Sequence, residues 1–121
     1  MHEQFPATPA SIGAARRHVR CFAAGLEVDL DGVVLAVSEA VSNAVAHAYA
    51  EGVRGQVELT AGSSASEFTV TVRDHGRGIA RGGSGAGAGF GLKIIRRVAE
   101  HVELTDSPTG VSLTMGFRRA A

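Results

Sequence analysis

The chain has 121 residues, with 12 basic and 12 acidic side chains and a hydrophobic fraction of 45%. This length fits one compact domain over residues 1–121, and the balanced charge gives no reason to expect nucleic acid or a membrane surface as a partner. No apolar stretch is long enough to span a bilayer, and the amino terminus lacks the pattern of a secretory signal. The sequence therefore predicts a cytoplasmic protein. Its single cysteine, Cys21, cannot form an internal disulfide and is expected to be a small buried group.

Two helices are predicted in the first half of the chain. Apolar residues recur at helical spacing over residues 9–24, which predicts the first helix. A second apolar series, over residues 33–48, follows Asp29 and Asp31, and either of these side chains can cap a helix. The second helix is expected to turn its apolar face to the core.

The periodicity changes from helix to strand after residue 55. Apolar residues alternate with polar ones at Val57 and Leu59, and again over residues 68–72, with a glycine- and serine-rich turn over residues 62–66. Two strands joined by a turn are therefore predicted.

The last third of the chain begins with a segment, residues 81–89, that is rich in glycine and is expected to form a mobile loop. A third helix is predicted from about Phe90 to His101, followed by strands near residues 102–105 and 111–117. The order of these elements predicts an α+β fold, a two-layer sandwich with the helices on one face of a mixed sheet.

A first candidate site lies on the second helix, where Glu39, Asn43 and His47 are four residues apart and share one face. Apolar residues surround them, so a carboxylate and an amide there need water or a bound partner in a cleft. An amide carbonyl suits Mg²⁺, and the neighbouring carboxylate could accept a proton from a hydroxyl group. An exposed polar stripe on an amphipathic helix is the alternative that this patch leaves open.

A second candidate site, Asp74-x-Gly76-x-Gly78, follows the second predicted strand. A carboxylate at the end of a strand can accept the exocyclic amine of adenine, and glycines let the backbone approach the flat base closely. An ordinary turn has the same residue pattern, so this patch alone does not decide between the two.

A third candidate site, formed by Gly87, Gly89, Gly91 and Leu92, leads into the third helix. The free backbone amides and the positive end of a helix dipole suit a phosphate chain, whereas the alternative is a flexible connector. Neither the Walker nor the Rossmann glycine pattern is present in the sequence.

Taken in chain order, the three sites resemble the nucleotide-binding boxes of the GHKL ATPases, at Ser38–Tyr49, Asp74–Ile79 and Gly89–Leu92. The chain length and the amino-acid sequence of the first box are most similar to those of the anti-sigma-factor serine/threonine kinases. The resemblance implies the Bergerat fold, with ATP and Mg²⁺ held between helices and sheet under a mobile lid.

The resemblance also implies roles for individual residues. Asn43 would hold Mg²⁺, Glu39 would be the general base and Asp74 would bind adenine, while His47 matches a position near the phosphates. The remaining residues expected to line the nucleotide are Gly76, Gly78, Gly87, Gly89, Gly91 and Leu92. Arg16, on the first helix, lies where family members place a partner-contacting arginine. The family's Gly-Thr pair before the final strand reads Thr109-Gly110-Val111 here, so that one hydroxyl expected near the nucleotide is displaced.

The function implied by the resemblance is that of an anti-sigma factor and protein serine kinase. Such proteins act as homodimers that capture a sigma factor, and they phosphorylate a serine of an anti-anti-sigma protein of the STAS type. No direct nucleic-acid contact is expected. One alternative is an ATP-dependent protein-binding module without significant kinase activity, which the short, glycine-rich lid favours. Another is the catalytic domain of a histidine kinase whose phosphoacceptor helices lie on another chain.

Overall fold

The computed structural model describes residues 1–47, 55–76 and 85–120, and these residues confirm the α+β fold. The elements follow in the order β1 (His2–Pro6), α1 (Ala10–Ala23), α2 (Leu30–His47), β2 (Gln56–Ser63), β3 (Glu67–Asp74), α3 (Gly85–Val98), β4 (His101–Ser107) and β5 (Gly110–Arg118). No helix in this part of the chain combines the length and the apolar character needed to span a bilayer.

The sheet has the strand order β1-β2-β3-β5-β4, and each neighbouring pair of these strands is antiparallel. The expectation of a mixed sheet is therefore wrong. Strands β3 and β4 do point the same way, since each is antiparallel to β5, and α3 connects them. The β4–β5 hairpin folds back and places β5 between them, so the two strands that run in the same direction are not neighbours.

The three helices pack on one face of the sheet, as predicted. Alternate side chains of the strands point to this face and are buried against the helices in one hydrophobic cluster. From the strands it includes Phe5, Val57, Leu59, Phe68, Val70, Val72, Leu113, Met115 and Phe117, and from the helices Ala15, Val19, Val33, Val37, Val41 and Ile95. The opposite face is polar; there the hydroxyl oxygens of Thr71 and Thr114 lie 3.0 Å apart across β3 and β5.

Helix α1 occupies nearly the predicted range and ends before Gly25, whose φ of +85° is a left-handed conformation that favours glycine. The expectation that Cys21 is buried is wrong, because its side chain is exposed. The buried residues of α1 include Ala15 and Val19, and Cys21 lies on the other side of the helix at 100° per residue.

Helix α2 is capped by Asp29 rather than Asp31. The Asp29 carboxylate accepts a hydrogen bond from the backbone N–H of Gly32, with 3.2 Å between nitrogen and oxygen. A side chain at residue 32 would collide with this carboxylate and would lie close to Val98 of α3. Glycine at this position therefore allows the cap to form where the start of α2 meets the end of α3.

Strand β1 is absent from the sequence-based prediction. It pairs with β2 from His2 opposite Thr60 to Pro6 opposite Gln56, at one edge of the sheet. Only Phe5 among its residues is buried, so the segment has no alternating apolar pattern to recognise. A proline is tolerated here because an edge strand does not need every backbone N–H for pairing.

Helix α3 begins at Gly85 and ends at Val98, whereas the sequence predicts a helix over residues 90–101. The expectation of a loop is therefore wrong for residues 85–89; residues 81–84 lie outside the described part. Once a packed turn has formed, adding helical residues costs less than nucleation, which lets α3 extend into the glycine-rich segment. At its other end the helix stops because His101 pairs with Gly116 in the sheet.

We expect Asp29→Ala to lower the free energy of unfolding by about 1 kcal/mol, because it removes the side-chain cap of α2. Asp31→Ala is the matched control, since Asp31 is exposed and the cap at Asp29 remains; its effect is expected to be a few tenths of a kcal/mol, roughly the size of a helix-dipole interaction. Urea unfolding followed by circular dichroism measures both. Equal losses in the two variants would contradict the assignment of the cap.

Candidate functional site

The carboxylate of Asp74 is the centre of the candidate site. Asp74 is the last residue of β3, points to the helix-covered face and is only 6% exposed. Its Oδ1 atom accepts hydrogen bonds from the backbone N–H groups of Gly76, at 2.9 Å, and Val111, at 3.2 Å. These two bonds join the end of β3 to the following turn and to the start of β5.

Gly110 lets the β4–β5 hairpin approach Asp74 closely. Its φ of +151° is in the region that favours glycine, and a side chain there would collide with the backbone carbonyl of Asp74. Sequence reasoning noted Gly110 and Val111 only as a departure from the family pattern. The glycine immediately before a strand was the signal in the sequence for a close backbone approach.

Burial raises the pKa of the Asp74 carboxyl group, and the hydrogen bonds from Gly76 and Val111 act in the opposite direction. Both bonds go to Oδ1, and no hydrogen bond to Oδ2 is present among the described residues. The hydrogen bonds that hold the turn use Oδ1 alone. The second oxygen of this buried carboxylate can therefore accept a hydrogen bond from a ligand.

Glu39 and Asn43 are half-buried on α2, and neither side chain has a hydrogen bond or ion pair with any residue that the structure describes. At helical spacing they lie on the same flank of α2 as Gly32, which contacts Val98 of α3. They therefore face the side of α2 on which α3 packs. This arrangement does not match a fully solvated polar stripe.

The topology brings Asn43 to the end of the sheet at which β3 terminates, where Asp74 lies. The start of α2 is held near the end of β5, because the carbonyl of Glu27 accepts a hydrogen bond from the N–H of Ala120 at 2.7 Å. The end of β5 pairs with the start of β3, at Glu67. An 18-residue helix is about 27 Å long, roughly the length of an eight-residue strand, and α2 packs across β2, β3 and β5. The carboxyl-terminal half of α2 therefore lies at the end of the sheet where β3 terminates.

The start of α3 also lies toward the end of the sheet where β3 terminates. Because Gly32 at the start of α2 contacts Val98 at the end of α3, the two packed helices run antiparallel. The first half of α3 carries Gly87, Gly89 and Gly91, and Leu92 packs against the core. The expectation that these glycines precede the helix with free backbone amides is wrong for Gly89 and Gly91, because only the first four N–H groups of a helix lack a partner within it. The end of β3, the carboxyl-terminal half of α2 and the first half of α3 thus lie toward the same end of the sheet.

The other predicted site residues are placed as follows. Arg16 is exposed on α1. His47 is the last residue of α2, but its side chain and Gly78 lie outside the described part of the chain. Within that part, no group of three or more His, Cys, Asp or Glu side chains could hold a metal. A magnesium ion here would need oxygen ligands from a bound phosphate chain in addition to Asn43.

Comparison with known proteins places this chain in a family. Residues 5–117 match the histidine kinase-like ATPase domain model. The chain is 38% identical over 82 residues to the anti-sigma F factor of Anoxybacillus flavithermus, which covers 65% of this chain and 56% of that protein. It is 40% identical over 84 residues to the anti-sigma F factor of Heyndrickxia coagulans, covering 66% and 57%. The matched region spans little more than half the length of these relatives.

Solved structures support the fold. The structure of the RsbU and RsbW domains of a Mycobacterium tuberculosis protein has a TM-score of 0.77 at 24% identity, covering 100% of this chain and 32% of that chain. The histidine kinase domain of a blue-light activated histidine kinase from Erythrobacter litoralis has a TM-score of 0.61 at 22% identity, covering 89% and 63%.

We expect Asp74→Asn to be at least as stable as the unchanged protein at neutral pH. Asparagine keeps a carbonyl oxygen for the bonds from Gly76 and Val111 and removes a buried charge. A raised pKa means that the stabilisation from the protonated carboxyl group is present at low pH and is lost as the pH rises through that pKa. The variant should therefore gain stability relative to the unchanged protein as the pH rises.

Urea unfolding at several pH values measures this difference, with Asp31→Asn as the control for an exposed carboxylate. A variant that is less stable than the unchanged protein at neutral pH, by more than about 1 kcal/mol, would show that the charge itself holds the turn.

Proposed function

This chain belongs to the histidine kinase-like ATPase family, and we propose that it is an ATP-binding anti-sigma factor that phosphorylates a serine of an anti-anti-sigma protein. One observation supports the proposal: the buried Asp74 has an available carboxylate oxygen, and the half-buried Glu39 and Asn43 lie on the flank of α2 that faces α3. The names of the anti-sigma F factor relatives support the regulatory role. A homodimer in the cytoplasm, with a sigma factor and a STAS-type protein as partners, is part of the same proposal.

Asp74 and the residues after it are proposed to bind the adenine base. The Oδ2 atom of Asp74 would accept a hydrogen bond from the exocyclic amine, while Oδ1 remains bonded to Gly76 and Val111. Gly76 and Gly78 would let the backbone lie close to the base. Burial of the carboxylate strengthens such a bond, because little water competes for it.

The polar flank of α2 is proposed to face the phosphates. The carbonyl oxygen of Asn43 is a ligand of the type that Mg²⁺ prefers, and this ion would neutralise charge on the phosphate chain. Glu39, one helical turn earlier, would accept the proton of the attacking serine hydroxyl. His47 would lie near the phosphates, as would Gly87, Gly89, Gly91 and Leu92 at the start of α3. Arg16, exposed on α1, would contact a partner.

A second function is an ATP-dependent binding module that transfers no phosphate. The short, glycine-rich lid of the sequence favours it, because closure of a lid over the triphosphate positions the phosphates for transfer. In this function Asp74 and Asn43 would keep their roles in binding, and Glu39 would have no catalytic one.

Labelled ATP with a purified STAS-type anti-anti-sigma protein tests the kinase function. We expect label on a serine of the partner. A stable complex of the two proteins without label would leave the binding module as the function. Calorimetry that detects no binding of Mg-ATP would contradict both.

We expect Asn43→Ala to slow phosphotransfer by about 100-fold or more while partner binding stays unchanged, because it removes a metal ligand but little surface. Asp31→Ala is the control on the same helix, since Asp31 is exposed at the start of α2 and lies before the first box. Initial rates of label transfer and pull-down of the partner give the two readouts. An equal loss in both readouts would argue against the role in metal binding.

We expect Asp74→Asn to weaken ATP binding by about 1 to 3 kcal/mol, the cost of losing a hydrogen bond to a charged group in a pocket. Calorimetry with Mg-ATP measures it, and Asp31→Asn is the control. Unchanged affinity, together with unchanged stability, would reduce Asp74 to a turn residue.

A further inference from the structure

The polar face of the sheet, on the side away from the helices, carries a cleft beside the β4–β5 hairpin. The cleft has a volume of about 290 Å³, near the lower end of the range for small-molecule sites. Arg73, Ser112 and Thr105 form its floor, and the turn between Ser107 and Gly110 forms one wall. The proposed nucleotide site uses none of these side chains.

The three floor residues form a row across the sheet. Arg73 on β3 is the pairing partner of Ser112 on β5, and Ser112 is in turn the partner of Thr105 on β4. Their chain neighbours Val72, Leu113 and Leu104 pack in the core, so the alternation of a strand turns all three side chains to the open face.

The guanidinium group of Arg73 forms no ion pair with any described residue. Its pairing partner on β2 is Glu58, but the oxygens of that carboxylate are bonded to Gln4 at 3.1 Å and to His75 at 3.0 Å. Hydrogen bonds from Gln4 and His75 lower the pKa of Glu58, so their effect is to stabilise its charged form. Both oxygens of Glu58 are thus bonded to other residues, and neither forms an ion pair with Arg73.

The hydroxyl groups of Thr105 and Ser112 have no hydrogen-bond partner among the described residues, so both can donate to a ligand. In contrast, the Ser107 hydroxyl donates to the carbonyl of Gly110 at 3.1 Å and accepts from the N–H of Thr109 at 3.3 Å. These internal bonds hold the wall of the cleft in shape.

The neighbouring carboxylate of Asp74 does not point into this cleft. Asp74 also borders the cleft, but its carboxylate is buried on the helix side of the sheet and is bonded to Gly76 and Val111. The backbone carbonyl of Asp74 lies against Gly110.

We propose that Arg73, Thr105 and Ser112 bind a phosphate group on the open face of the sheet. A phosphate group has three or four terminal oxygens, which can accept bonds from a guanidinium and from two hydroxyls at the same time. A carboxylate presents only two oxygens, so it matches these three donor groups less well than a phosphate does. The cleft has room for a small group attached to the phosphate, so a phosphate monoester is accommodated as well as free phosphate.

Calorimetry on the full chain without nucleotide tests this site, with inorganic phosphate and O-phosphoserine as the two probes. We expect both to bind, and tighter binding of O-phosphoserine would identify a monoester as the ligand. Arg73→Gln should weaken binding by about tenfold or more, because it removes the charge from an exposed side chain. The Thr105→Val and Ser112→Ala double variant should weaken it as well.

Arg118→Gln is the matched control, since Arg118 is an exposed arginine of β5 that is paired with Glu100 at 2.7 Å. Amide chemical shifts in NMR spectra separate this site from the nucleotide site. Phosphate should shift the signals of Arg73, Ser112 and Thr105. The proposal is overturned if Arg73→Gln binds phosphate as the unchanged protein does, or if the shifts are confined to α2 and the start of α3.

Discussion

Two backbone N–H groups bonded to one oxygen of Asp74 tie together the elements that surround the candidate site. A carboxylate on the buried face of a sheet costs free energy unless its oxygens are paired. Here the pairing groups come from Gly76, in the turn after β3, and from Val111, at the start of β5. The core is thus apolar along β3 and becomes polar at the end of this strand. There the second oxygen of Asp74 has no hydrogen-bond partner among the described residues.

The position of β5 makes this contact possible. A simple β3-α3-β4 crossover would place β4 beside β3, and Val111 would then be one strand away from Asp74. The hairpin instead inserts β5 between them, so that its first residues pass the last residues of β3. Gly110 completes the arrangement, because any side chain there would collide with the carbonyl of Asp74.

The sequence predicted what depends on local periodicity. Both long helices, the strands with alternating apolar residues and the shared flank of Glu39 and Asn43 follow from spacing alone, and the structure agrees with them. Strand β1 was missed because it buries only Phe5, and the glycine-rich start of α3 was missed because a helix, once formed, extends into residues of weak helix propensity.

Contacts between strands could not be predicted in this way. The bond from Val111 to Asp74 and the row of Arg73, Ser112 and Thr105 both depend on register, which no local pattern in a single strand reveals. The three parts of the proposed nucleotide site could be assembled from sequence only through the resemblance to a known family. The cleft proposed to bind phosphate has no such resemblance to point to it.

Register also explains how two adjacent residues of opposite charge can be proposed to serve different ligands. Arg73 and Asp74 follow each other on β3, and the alternation of a strand sends their side chains to opposite faces of the sheet. A slip of one residue would exchange them, placing a guanidinium beneath the helices and a carboxylate in the polar cleft. Because Val111 bonds to Asp74 and Gly110 lies against its carbonyl, such a slip would break both contacts. The contacts that shape the nucleotide site therefore also keep Arg73 on the open face.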